Sequence, residues 1–170
     1  SGAEGAVQRT EPSRSTHGRP PCVRQVRCQT GFLMPVTNTT LTIPATADRI
    51  VSVGAYQTDT MAVAPFSGRG FTASGQAAPT LVAPGVNILT AAPGGGYARR
   101  TGTSIAAPFV TGAAALLMEW GIVRGNDVEL YGEKGKAYLM RGAKPLPGIT
   151  DYPDVAAGYG RLCVEQSIPK

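Results

Sequence analysis

Histidine is nearly absent from this 170-residue chain. His17 is the only one, and no second histidine or C-x-x-C pair stands near it, which excludes a histidine-built metal centre. Cysteine is sparse and odd in number: Cys22 and Cys28 are spaced too widely for a metal knuckle and Cys163 stands alone. Free thiols, and no metal site, are expected. Charged residues make up only 16% of the chain, too few for a charge-rich disordered tract. The net charge is +5, but much of the excess comes from Arg9, Arg14, Arg19, Arg24 and Arg27, and no Lys/Arg run interleaves with aromatics. Scattered solvated charge is expected, not a nucleic-acid surface. An apolar run of about 18 residues is missing, as is a charged-then-apolar leader, so neither a membrane span nor a signal peptide is expected.

What is present suits an α/β protein of about one domain. Apolar residues reach 42%, enough for a sizeable core, and Gly 22 with Pro 14 favour tight turns over a helix bundle. Residues 1–31 are rich in Ser, Thr, Arg, Pro and Gly without periodicity, and read as loop or disorder. Gly31 to Ile43 reads as extended by its β-formers. Ile50-Val51-Ser52-Val53-Gly54-Ala55-Tyr56 is short and mostly apolar, as for a strand buried on both faces of a parallel sheet. Pro65 to Gly70 is turn chemistry, Leu81 to Leu89 is two apolar pieces divided by Pro84-Gly85, and Pro93-Gly94-Gly95-Gly96 is a loop delivering the chain to a helix. Glu129 to Arg141 is spaced as a helix, Pro145 to Pro153 closes it off, and Gly158 to Val164 reads as a final turn with a short apolar segment.

The chain is organised around Thr101-Gly102-Thr103-Ser104-Ile105-Ala106-Ala107-Pro108, which runs into Phe109-Val110-Thr111-Gly112-Ala113-Ala114-Ala115-Leu116-Leu117-Met118-Glu119-Trp120. A hydroxyl residue before an Ala/Leu-rich run reads as a helix start, with Pro108 expected in the first turn and Thr103 or Ser104 as a cap. From Ile105 to Trp120 only Thr111 and Glu119 are strongly polar, so the helix is expected to be enclosed by protein. Ser104 at its N-terminal end would sit where free N–H groups and the helix dipole favour developing negative charge, a suitable place for a nucleophilic serine.

Gly102-Thr103-Ser104-x-Ala106-x-Pro108-x-x-x-Gly112 resembles the active-site serine signature of the subtilisin-like serine proteases, the subtilases or peptidase S8 family. The likeness extends over roughly residues 44 to 164. Ile50-Val51-Ser52-Val53-Gly54-Ala55 looks like the family's Val-Gly-Ala strand, Phe66-Ser67 is similar to its Phe-Ser turn, and Leu81-Val82-Ala83-Pro84-Gly85 to its Ala-Pro-Gly loop. Thr80 departs from the family, which usually carries aspartate there. Met118 to Asp127, Tyr131 to Lys134 and Arg141 to Pro147 resemble the Csp-type subtilases of clostridia and their relatives, some of which act in spore germination.

The resemblance implies a three-layer α/β/α fold with a mostly parallel sheet, incomplete at its N-terminal side, with residues 32–170 as the C-terminal portion of a catalytic domain. It implies a serine-type endopeptidase acting through an acyl-enzyme on Ser104, with Gly102 and Thr103 beside the substrate and oxyanion, and a peptide or protein as substrate. The family's Ser/His/Asp triad is matched by Ser104 alone. His17 lacks the His-Gly-Thr-His pattern and reads as a surface residue. Gly2-Ala3-Glu4-Gly5 replaces the family's oxyanion asparagine with Ala3, and neither Asn38 nor Asn87 matches that turn. The competing reading is an inactive fragment or pseudoprotease serving as a binding module; a third is completion by a chain carrying the missing N-terminal part. The residues call for no cofactor, and calcium enters only through the resemblance, with no identifiable site. A secreted or spore-associated location likewise follows from the resemblance alone.

Overall fold

The computed structural model describes residues 38–169. The readings placed on 1–31, on Gly31 to residue 37, on His17, Cys22 and Cys28, and on the Gly2 to Gly5 turn lie outside the described residues. Residues 38–43, the rest of the expected extended stretch, form no strand. Thr40 is tied instead to Arg69: its N–H donates to Arg69 O at 2.9 Å, and Arg69 N–H donates to Thr40 Oγ1 at 2.9 Å.

The stretch from Ile50 yields β1, Val53–Gln57, which begins three residues later than its apolar residues suggest. It is flanked by the two-residue β2, Ala62–Val63, and by β3, Leu81–Pro84, in the order β2-β1-β3. β1 and β3 run parallel, from Val53 opposite Leu81 to Tyr56 opposite Pro84, while β2 is antiparallel and pairs only at Tyr56 and Gln57. Strand alternation sorts the side chains onto two faces. Ala55, Leu81 and Ala83 pack with the helices, whereas Tyr56 and Val82 meet Leu146 and Ala157 on the other side. The far edge of β3 is closed by the segment expected to be a turn with an apolar piece: Val82 N–H donates to Gly160 O at 2.9 Å and Leu162 N–H to Val82 O at 2.8 Å. This is an α/β fold with a mostly parallel sheet.

Two hydroxyl devices lock that sheet. Ser67 Oγ accepts from Ala55 N–H at 3.1 Å, which gives the Phe-Ser turn its physical purpose, because β2 stops short of that donor. Thr80, the departure from the family, is buried and pairs reciprocally with buried Ser52. Thr80 N–H donates to Ser52 Oγ at 2.9 Å and Ser52 N–H to Thr80 Oγ1 at 3.1 Å, so neutral groups satisfy every donor named here without a carboxylate.

The apolar run forms α1, Thr103–Met118, continued by a π-helical turn, Glu119–Val123. Together they make 21 residues, long and apolar enough to cross a membrane by length and composition, yet α1 lies against β1 and β3. Its buried residues are Ala106, Val110, Ala113 and Leu117, one helical stripe. Among the described residues the expected enclosure is met on that stripe only. Phe109, Leu116 and Met118 are 42%, 54% and 45% exposed, and a Cβ on Gly112 would meet nothing within 4 Å, so among the described residues no element packs there. An all-apolar sequence cannot reveal which of its faces is covered. The second expected helix is α2, Glu133–Arg141, shortened at its start because Gly132 takes φ 57 as its N-cap. A four-residue α3, Val164–Ser167, follows.

Candidate functional site

β4, Ile88–Ala91, and β5, Tyr97–Arg100, form an antiparallel hairpin. Pro93 to Gly96 is thus the hairpin's tip, and β5, unforeseen in so polar a stretch, is what delivers the chain to α1. The junction is fastened at several points. Asn87 N–H donates to Thr101 Oγ1 at 2.9 Å, and Arg99 Nη1 donates to Asn87 O at 2.9 Å. Gly85 N–H donates to Tyr56 O at 3.1 Å, and Gly102 N–H to Gly85 O at 2.8 Å. A Cβ on Gly85 would lie 2.6 Å from Ala55 Cβ and 2.9 Å from Gly102 O, so the Ala-Pro-Gly loop needs glycine for its backbone to touch both sheet and helix start.

The helix cap differs from expectation. Gly102, at φ 156 and ψ 160, is the N-cap, and no side chain caps the helix; Thr103 and Ser104 are its first and second residues. That backbone region is essentially restricted to glycine. Pro108 is therefore the sixth helical residue, beyond the first turn, and its missing N–H leaves Ser104 O without the usual i+4 donor. Ile105 and Ala106 N–H both donate to Gly102 O, at 3.1 and 3.3 Å. Among the described residues the N–H groups of Thr103 and Ser104 have no backbone acceptor. Ser104 is exposed, Gly102 and Thr103 half-buried.

The three proposed site residues thus stand together at a helix N-terminus, with an exposed serine beside two amides that have no acceptor among the described residues, at the positive end of the helix dipole. A mostly apolar groove of about 500 Å³ opens next to them, between β4 and Ile105, Pro108 and Phe109 of α1. The structure brings no histidine to Ser104 among the described residues, and Asn87 serves the hairpin junction in a left-handed conformation, φ 57. Among the described residues no group of three or more His, Cys, Asp or Glu is placed to hold a metal ion.

An exposed serine thus stands at the glycine-capped start of an apolar helix that packs on a mostly parallel sheet. The Subtilase family model matches residues 32–160, and the chain belongs to that family of serine peptidases. Serine protease AprX of Bacillus subtilis (strain 168) is 32% identical over 150 residues, covering 76% of this chain and 32% of AprX. The structure of the Clostridium perfringens CspB protease superposes with a TM-score of 0.77 at 45% identity, over 81% of this chain and 30% of that one. The prenylagaramide maturation protease PagA gives a TM-score of 0.63 at 34% identity, over 78% and 46%. The chain therefore spans about a third of the length of AprX and of CspB.

Proposed function

We propose that this chain is the serine-bearing, C-terminal portion of a subtilase endopeptidase, with residues 32–170 forming part of its catalytic domain. Ser104 Oγ attacks the carbonyl carbon of a peptide bond, its proton passing to an imidazole supplied by the N-terminal part of the same protease. The oxyanion forms beside the free Ser104 N–H, with Gly102 and Thr103 at the wall of the site. Collapse expels the amine, which takes that proton from the imidazolium, and water then hydrolyses the acyl-enzyme to free acid and Ser104. The supporting observation is the exposed Ser104 at the second position of α1, its own amide without an acceptor among the described residues. The bare apolar face of α1 supports the N-terminal part as partner, since a monomer seldom leaves such a face unpaired. Docking of the opposite face on the sheet supports α1 as a core element. A secreted or spore-associated site of action rests on the family resemblance.

One observation favours a second reading, an inactive binding module: the chain's single histidine lies outside the signature that would make it a base. A fluorophosphonate probe applied to the full-length protein separates the two. The expected result is labelling of Ser104 that Ser104→Ala abolishes; labelling that persists in that variant, or none in the wild type, removes the catalytic reading.

A further inference from the structure

The hairpin that leads into Ser104 carries charge of one sign. Between Asp59 and Glu119 the sequence has no acidic residue, while Arg99 and Arg100 are adjacent and exposed at the end of β5. The ion pairs among the described residues, Arg49 with Glu133, Arg124 with Glu119 and Lys134 with Asp127, leave both arginines out. Their surroundings differ. Arg99 reaches back to Asn87 O and braces the junction. Arg100 is paired in register with Ile88, and Ala98 with Thr90. Directly opposed residues of an antiparallel pair share a face, so Arg100 stands at the end of β5 on the same face as Ile88 and Thr90, which line the groove beside α1 together with Leu89 and Ala91.

Distance limits what Arg100 can meet. Four residues separate it from Ser104, a span of at most roughly 14 Å, and an extended peptide advances about 3.3 Å per residue. A substrate whose scissile carbonyl sits at Ser104 spans that distance within about four residues of the bond, so Arg100 is within its reach. Guanidinium groups match carboxylates with a planar pair of donors. We propose that Arg100 is a specificity-determining residue of the proposed protease, favouring a polypeptide substrate with an Asp or Glu side chain within four residues of the cleaved bond. The adjoining groove takes an apolar neighbour of that acid. This inference rests on the proteolytic reading of Ser104.

The test uses the full-length protein and peptides in which each of the four positions on either side of the scissile bond is in turn Asp, Glu, Asn, Gln or Lys. An exposed ion pair of this kind changes kcat/KM by about twofold to fivefold. The expected result is that preference for the acid over its amide at one position, lost in Arg100→Gln and turned toward Lys in Arg100→Glu. A merely structural role for Arg100 would not produce the reversal. Equal selectivity of wild type and both variants, with Ser104 of the wild type still labelled by a fluorophosphonate, overturns this inference alone. Absence of that labelling overturns the proteolytic reading and this inference together.

Discussion

Thr80→Val is the sharpest probe of the sheet, because it exchanges one hydroxyl for a methyl group of nearly the same size. Thr80 and Ser52 are 1% and 7% exposed, so water cannot take over for a lost partner. In the variant Ser52 N–H loses the Oγ1 acceptor that lies 3.1 Å away, and Ser52 Oγ loses its contact at 3.3 Å. The bonds donated by the residue-80 N–H, to Ser52 Oγ at 2.9 Å and Ser52 O at 2.8 Å, survive. One buried donor without an acceptor costs about 1–3 kcal/mol. For 150–250 residues each kcal/mol is about 2–4 °C of melting temperature, and the shift is smaller in the longer full-length protein. Urea unfolding and thermal melting of the full-length protein, wild type against Thr80→Val, measure it, with an unchanged denaturant slope showing that stability alone has moved. A variant within about 0.3 kcal/mol of wild type would refute the reciprocal pair as the reason this chain dispenses with the family's aspartate.

Two further outcomes are expected. Leu117→Ala, in the buried stripe of α1, should cost about 2–5 kcal/mol, whereas Leu116→Ala should cost far less in the isolated chain and more in the full-length protein, where the proposed partner region covers that face. Equal costs in both settings would show the face uncovered in each. Asp127 is held below its ordinary value of 3.8, first by the Lys134 ammonium that hydrogen-bonds it and then by the Tyr138 hydroxyl, and Lys134 is raised above 10.5 by the same bond. The stabilisation is complete above the unfolded aspartate value and lost as pH falls through the lowered one; at the other end it is complete below 10.5 and lost as pH rises through the raised lysine value. Lys134→Met should return the Asp127 titration, followed by NMR, toward 3.8, and an unmoved titration would refute the pairing.

The elements that sequence made legible are those whose pattern and burial agree. Leu81-Val82-Ala83 is apolar throughout because both faces of β3 are covered, and the run from Ile105 to Leu117 is too long and too apolar to be anything but a helix. β5 escaped because Tyr97-Ala98-Arg99-Arg100 is held by its hairpin partner and not by burial. Pro108 stands one or two residues deeper in α1 than its sequence suggests because Gly102, not Thr103 or Ser104, caps the helix, and a cap made of backbone geometry leaves little trace in side-chain chemistry. Of the site, the Gly102-Thr103-Ser104 grouping was readable as a signature. That Ser104 is exposed and its amide uncommitted was not, since both depend on where Gly85 and Asn87 pin the incoming strand.

The pairing of Gly160 and Leu162 with Val82 makes the last stretch of the chain a structural seal, not an appendage. A stop codon ahead of residue 158 would strip the outer rail from β3 and remove Ala157, which is fully buried against Val82 and Tyr56. Nascent chains still short of that point would carry a raw parallel edge under the Ala-Pro-Gly corner, so the sheet that carries α1 is completed only when residues 158–162 have been made.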